Sequence, residues 1–192
     1  CLRGPSIARG IPLSSMASPM KRLSKTDAVA LAVLALAAAL RYPERFASVT
    51  ISNAAYKGSA IGRLPGWHEE IARDGMAAWA ERLMGFRFAP GALDCERHRW
   101  FATEQARAKA HVVLGIGDLL ARTDLGGDLP KLHVPLLILM PDGSPFVSVQ
   151  QGVDMKARVP DAELAVFPCT RHGLRFSNSR ECAERLLAFL NR

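Results

Sequence analysis

The chain has 192 residues, 49% of them hydrophobic and 22% charged, with a formal net charge of +7. That is about one domain of ordinary globular composition, which excludes wholesale disorder, collagen, a coiled coil and a disulfide scaffold. The four cysteines (1, 95, 169 and 182) make no CxxC and no metal-ligand spacing, which excludes a zinc ribbon; scattered thiols fit a reducing compartment and predict a cytoplasmic protein.

The positive charge is local. Residues 1–26 hold Arg3, Arg9, Lys21, Arg22 and Lys25 and no acid, so 20 bases face 18 acids in the remaining 166 residues. A body so balanced has no global basic field for a phosphate backbone, and neither a nucleic-acid nor a membrane partner is expected. Residues 1–26 are rich in Ser, Pro and Gly and are expected to form an irregular basic tail. They resemble a transit peptide, and Lys21-Arg22 before the apolar run Ala28–Leu40 resembles a signal peptide. That run has 13 residues, too few for a bilayer, which needs about 20. A buried helix capped by Thr26 or Asp27 and stopped at Pro43 is the preferred reading, because the chain then continues straight into a strand.

Three β-rich runs follow: Ala47–Ser52, Pro135–Met140 and Glu163–Pro168. The second is apolar throughout, as a strand covered on both faces of a parallel sheet must be. A helix at Val149–Arg158 completes a βαβ unit with the third. A last helix, about Asn178–Asn191, is expected to start with a capping box (Asn178, Glu181) and to bury Ala183, Leu186, Leu187 and Leu190. Between the first two strands lie 82 residues with helical patterns at Gly66–Leu83 and about Cys95–Leu120, then a turn at Gly126–Pro130. This predicts a helical lid at about 57–125, with Trp67, Trp79 and Trp100 as candidate walls of a substrate pocket.

Parallel strands joined by right-handed crossovers bring their C-terminal ends to one edge. Asp142 follows the second strand by two residues and His172 the third by four. Neighbouring strands lie about 4.8 Å apart, so their loops can join a carboxylate to an imidazole. Such a pair fixes the tautomer and leaves the other ring nitrogen free as a base.

Residues 28–46, AVALAVLALAAALRYPERF, resemble the helix that follows the nucleophile in the α/β-hydrolase superfamily. Asp128–Leu139 resembles the entry to that family's acid-bearing strand, and Asp161–Pro168 with Arg171-His172-Gly173 resembles the approach to its catalytic histidine. The likeness covers about residues 28–192 and is nearest to small lactone and ester hydrolases such as 3-oxoadipate enol-lactonase. It implies a parallel sheet flanked by helices with a helical lid over residues 27–192. It also implies hydrolysis of a small-molecule ester, lactone or similar carbonyl substrate without metal or organic cofactor. His172 would take the proton of a serine nucleophile, and Asp142 would orient His172.

The sequence departs from the family at two places. The nucleophile elbow G-x-S-x-G belongs just before the first helix, near Val29, and occurs nowhere in the chain. With it the next backbone N–H of the oxyanion hole is missing, and the strands that normally precede the elbow are expected to be absent. No other nucleophile is evident: Ser14, Ser15, Ser18 and Ser24 lack flanking glycines, and Ser18–Lys21 matches S-x-x-K without its partner motifs. Cys169 is read as a packing residue, and Gly115-Ile116-Gly117 lacks a third glycine. The family's acid usually stands directly before the loop proline, where this chain has Ser144, or just after the preceding strand, where it has Asn53. The alternative to an incomplete hydrolase is therefore a catalytically inactive hydrolase-like protein that binds small molecules or partners. A second alternative assigns acidic lipid or nucleic acid to the tail. An uncovered edge at Ala47–Ser52 predicts self-association.

Overall fold

The structure, a computed structural model, describes residues 27–192; the expected basic tail, with its serines and Thr26, lies outside the described residues. Helix α1 (Asp27–Arg41) leads into strand β1 (Val49–Ser52). Helices α2 (Trp67–Arg87), α3 (Cys95–Ala106) and α4 (Ala110–Arg122) follow. Strand β2 (Leu136–Pro141), α5 (Val149–Arg158), β3 (Ala162–Phe167), the short α6 (Leu174–Ser177) and α7 (Ser179–Leu190) complete the described chain.

The three strands form one parallel sheet in the order β1-β2-β3, with Ile51 opposite Ile138 and Ile138 opposite Leu164. All six residues of β2 are buried. Successive strand side chains point to opposite faces, and the two cores divide accordingly. Leu136, Ile138 and Met140 enter the larger cluster with Val33, Leu36, Val49, Ile51 and Met155. Leu137 and Leu139 enter a smaller one with Phe167, Leu174, Cys182 and Phe189. α1 buries Val33, Leu36 and Ala39, one face at helical spacing, while Leu34 on the other side is exposed.

Four expectations need correction. The apolar stripe of α7 is Cys182, Leu186 and Phe189, not the set containing Ala183, Leu187 and Leu190; Leu187 and Leu190 are exposed. Both sets satisfy helical periodicity, and only packing against β2 and α6 selects one. The capping box at Asn178 does not form: its Oδ1 accepts from Ser177 Oγ at 2.7 Å and Thr170 Oγ1 at 3.4 Å, and no side-chain cap is made. The helix expected at Cys95–Leu120 is two, because Lys109 is extended and serves as N-cap of α4. The first strand begins at Val49 rather than Ala47.

The excursion of α2–α4 between β1 and β2 packs on the sheet's C-terminal side. Aromatic rings pair within it: Trp67 meets Trp79 edge-on at 5.2 Å, and Phe88 meets Phe101 at 5.0 Å. Trp79 is fully buried. α2 is broken at Gly75, whose φ of 76° is a conformation that glycine adopts without steric cost.

Candidate functional site

The C-terminal ends of all three strands meet on one edge, where open α/β sheets place their ligands. Each contributes one group to His172. β1 is followed directly by Asn53, whose φ of 51° is left-handed, a region that Asn tolerates better than most residues. Its N–H donates to Leu139 O at 2.8 Å, which extends the ladder and aims the side chain past the strand. The loop after β2 contributes Ser144, and the loop after β3 contributes His172 itself.

Asn53 Nδ2 lies 2.5 Å from His172 Nδ1 and donates to the His172 backbone carbonyl at 2.9 Å. A carbonyl only accepts, so that bond fixes which end of the amide faces the histidine. Ser144 Oγ lies 3.2 Å from the same Nδ1. The Ser144 oxygen already accepts from the N–H groups of Phe146 and Val147, both at 3.3 Å, which leaves its hydroxyl hydrogen for the imidazole. Nδ1 thus faces two donors and acts as acceptor, and the neutral ring carries its proton on Nε2. An Asp–His pair imposes the opposite tautomer.

His172 is half-buried at the strand ends, and its pKa is lowered well below the usual 6.5. Desolvation is the largest cause, followed by the positive charges of Arg87 and Arg175. Among the described residues no carboxylate counters them. The neutral imidazole packs against Phe146 at 4.6 Å between ring centres.

Asp142 stands at the expected edge, beside the loop after β3, but its carboxylate Oδ1 accepts from Thr170 N–H at 3.2 Å. With Gly143 N–H to Thr170 O at 2.9 Å, it ties the two loops together. The adjacent parallel strands needed for an Asp142–His172 pair are present, yet the groups on Nδ1 are Asn53 and Ser144. Both stand at positions where the resemblance puts the family's acid, so the signal lay in the sequence. Neither residue is charged, so charge alone favours Asp142 in the sequence.

The loop carrying His172 is pinned to the end of α2. Gly173 N–H donates to Arg87 O at 2.6 Å, and Arg171 Nη1 donates to the carbonyl of Gly85 and, at 3.4 Å, to that of Phe88. A Cβ on Gly173 would stand 2.0 Å from the Phe88 ring, so only glycine permits this approach. His172 then lines a small cavity with Leu64, Trp67, Arg87, Leu120 and Phe146. The free space is about 20 Å³, room for one water or an ion of similar size. Of the three candidate tryptophans, Trp67 lines this cavity. Trp79 lies behind Trp67, and Trp100 is 44% exposed and packs toward Phe176. Arg87 went unnoticed in the sequence; a lone charge in the apolar run Leu83–Phe88 was its signal. Among the described residues no cluster of three His, Cys, Asp or Glu could hold a metal, and no helix is long and apolar enough to cross a membrane.

No protein-family model matches the chain. Solved structures do. The chain is similar to a hydrolase from Pseudomonas aeruginosa PA01 (20% identity, TM-score 0.73) and to the enol-lactonase from Burkholderia xenovorans LB400 (16% identity, TM-score 0.76). Both alignments cover 84% of this chain and 62% of the other. A thermophilic esterase matches at 20% identity over 83% of this chain, with a TM-score of 0.69. The chain therefore spans about three-fifths of the length of the structures it resembles.

Proposed function

We propose that this chain, which has the α/β-hydrolase fold, carries the histidine-and-lid side of a site for esters, lactones or similar carbonyl compounds, and that it holds such compounds without hydrolysing them. The observation that carries this reading is the pair of donors on His172 Nδ1. A general base must offer a free lone pair to the nucleophile's proton. Here the proton sits on Nε2, and moving it to Nδ1 would oppose two hydrogen bonds worth about 0.5–1.5 kcal/mol each. The imidazolium that follows proton transfer would face two arginines and no carboxylate. The sequence supplies no elbow serine for the proton to come from.

The helices α2–α4 act as the lid. They present Trp67 and Leu64 to the cavity as an apolar wall; its free space of about 20 Å³ admits one water, so a carbonyl compound enters only as the lid helices shift outward. One observation favours a hydrolytic reading: His172 occupies the strand-end position that a base requires.

Two measurements on the full chain separate the readings. Turnover of p-nitrophenyl acetate should not exceed buffer, and His172→Ala should leave it unchanged. Saturation-transfer NMR with γ-butyrolactone should show contact that Trp67→Ala weakens. A burst of acyl-enzyme that vanishes in His172→Ala would overturn the binding reading and restore the hydrolase.

A further inference from the structure

Arg87 is the most unusual charge in the described structure. It sits in the last turn of α2 and is only 8% exposed. Its Nε donates to Gln105 Oε1 at 2.6 Å, and Gln105, itself buried, is held by donating from Nε2 to Ala80 O at 2.8 Å. The guanidinium lies 5.8 and 5.9 Å from the ring centres of Phe101 and Phe146. Among the described residues Nη1 and Nη2 donate to no protein acceptor, and no carboxylate pairs with the charge. Arg175 adds a like charge, and the neutral His172 does not compensate it.

Burial lowers the Arg87 pKa to about 10, so it remains protonated at neutral pH. Proteins seldom bury a cation without a counter-charge, because desolvation is costly and an unpaired charge recovers none of it. Its placement is also specific. Arg87 lines the same cavity as His172 and Trp67, and the backbone bond from Gly173 to Arg87 O ties the His172 loop to the end of α2. Nε2–H of His172 is likewise unengaged by any described residue. Trp67 Nε1 is buried without an acceptor.

We infer that the cavity between α2 and His172 is an anion site, and that its ligand is a small carboxylate whose two oxygens take the Nη1 and Nη2 donors of Arg87. A planar guanidinium matches a carboxylate bidentately, and both bonds are charge-assisted. The inference rests on the proposal that this cavity is the small-molecule site, and it narrows the class of molecule to carbonyl compounds that carry a free carboxylate. The free space of about 20 Å³ matches one water or one carboxylate oxygen, so the two-oxygen contact requires α2 to shift.

The test is thermal unfolding of the full chain in rising sodium acetate, with ionic strength held constant by chloride, and in acetamide as the neutral isostere. A saturable rise in Tm with acetate and none with acetamide is expected. Arg87→Met should weaken the effect at least tenfold. Gln105→Glu, which adds almost no volume, should do the same by giving Arg87 an internal counter-ion, and it keeps the test valid if Arg87→Met fails to fold. A flat acetate response, or an undiminished rise in Gln105→Glu, overturns the inference. An equal rise with acetamide also overturns it while leaving the carbonyl-binding reading intact. If neither acetate nor γ-butyrolactone binds, both fall.

Discussion

The tautomer of His172 can be reversed by a single atom. In Asn53→Asp an oxygen replaces Nδ2, 2.5 Å from His172 Nδ1. A carboxylate there accepts and cannot donate, so Nδ1 must take the proton and Nε2 lose it. An opposite charge at this distance raises a histidine pKa by about 1–3 units, or roughly 1.4–4 kcal/mol of preference for the imidazolium. Against this, the backbone carbonyl of His172 loses its donor and faces an oxygen at about the present 2.9 Å, at a cost of about 1–3 kcal/mol. The two effects are of similar size, so the variant should fold with reduced stability near neutral pH. Long-range ¹H–¹⁵N NMR of the imidazole across a pH titration is the assay. The wild type should show a bare Nδ1 and a protonated Nε2, with no titration until well below pH 6.5. The variant should show a protonated Nδ1 and a pKa raised by about one unit or more. A wild-type Nδ1 that already bears the proton, or a variant whose ring titrates as before, would refute the reasoning. Ester hydrolysis should not appear in either protein, because the variant supplies no nucleophile.

Acid should destabilise the chain through the same residue. The folded pKa of His172 lies below its unfolded value of about 6.5, under the influence of burial, Arg87 and Arg175. The unfolded state therefore takes the proton first, and stability falls as pH drops below about 6.5, by at most about 1.4 kcal/mol per unit. Urea unfolding at pH 7.5 and 5.5 should show that loss, and His172→Asn should remove it; an identical slope in the variant contradicts the assignment. Gly173→Ala forces a Cβ into the Phe88 ring and should cost about 1–3 kcal/mol by the same assay, with part recovered in the Phe88→Ala double variant. Among the described residues β1 pairs with β2 alone, so sedimentation should reveal concentration-dependent association that Thr50→Lys, an edge lysine, reduces; a strictly monomeric protein at high concentration would count against it.

The sequence alone determined the sheet. A six-residue apolar run can be satisfied only by cover on both faces, so β2 was legible as a strand of a parallel sheet with both faces covered, and the loop lengths around α5 left a parallel βαβ unit as the economical connection. The strand ends then placed residues 53, 142–144 and 172 on one edge. What the sequence did not decide was which polar group meets which. Asp142, Asn53 and Ser144 all lie within reach of that edge, and charge favoured Asp142. The choice depends on the left-handed turn at Asn53 and on Thr170, whose N–H takes the Asp142 carboxylate first. The stripe of α7 was undetermined for a related reason: leucines on two faces satisfy one period, and the neighbour against which they pack makes the selection. Arg87 is the extreme case. The lone charge in the run Leu83–Phe88 is its one local signal, and its burial comes from Phe101, Gln105, Phe146 and Gly173, brought together from the lid and two strand-end loops. Periodicity reports one element's own faces; the pairing of side chains from different elements is a tertiary property, and the chemistry of this site consists of such pairings.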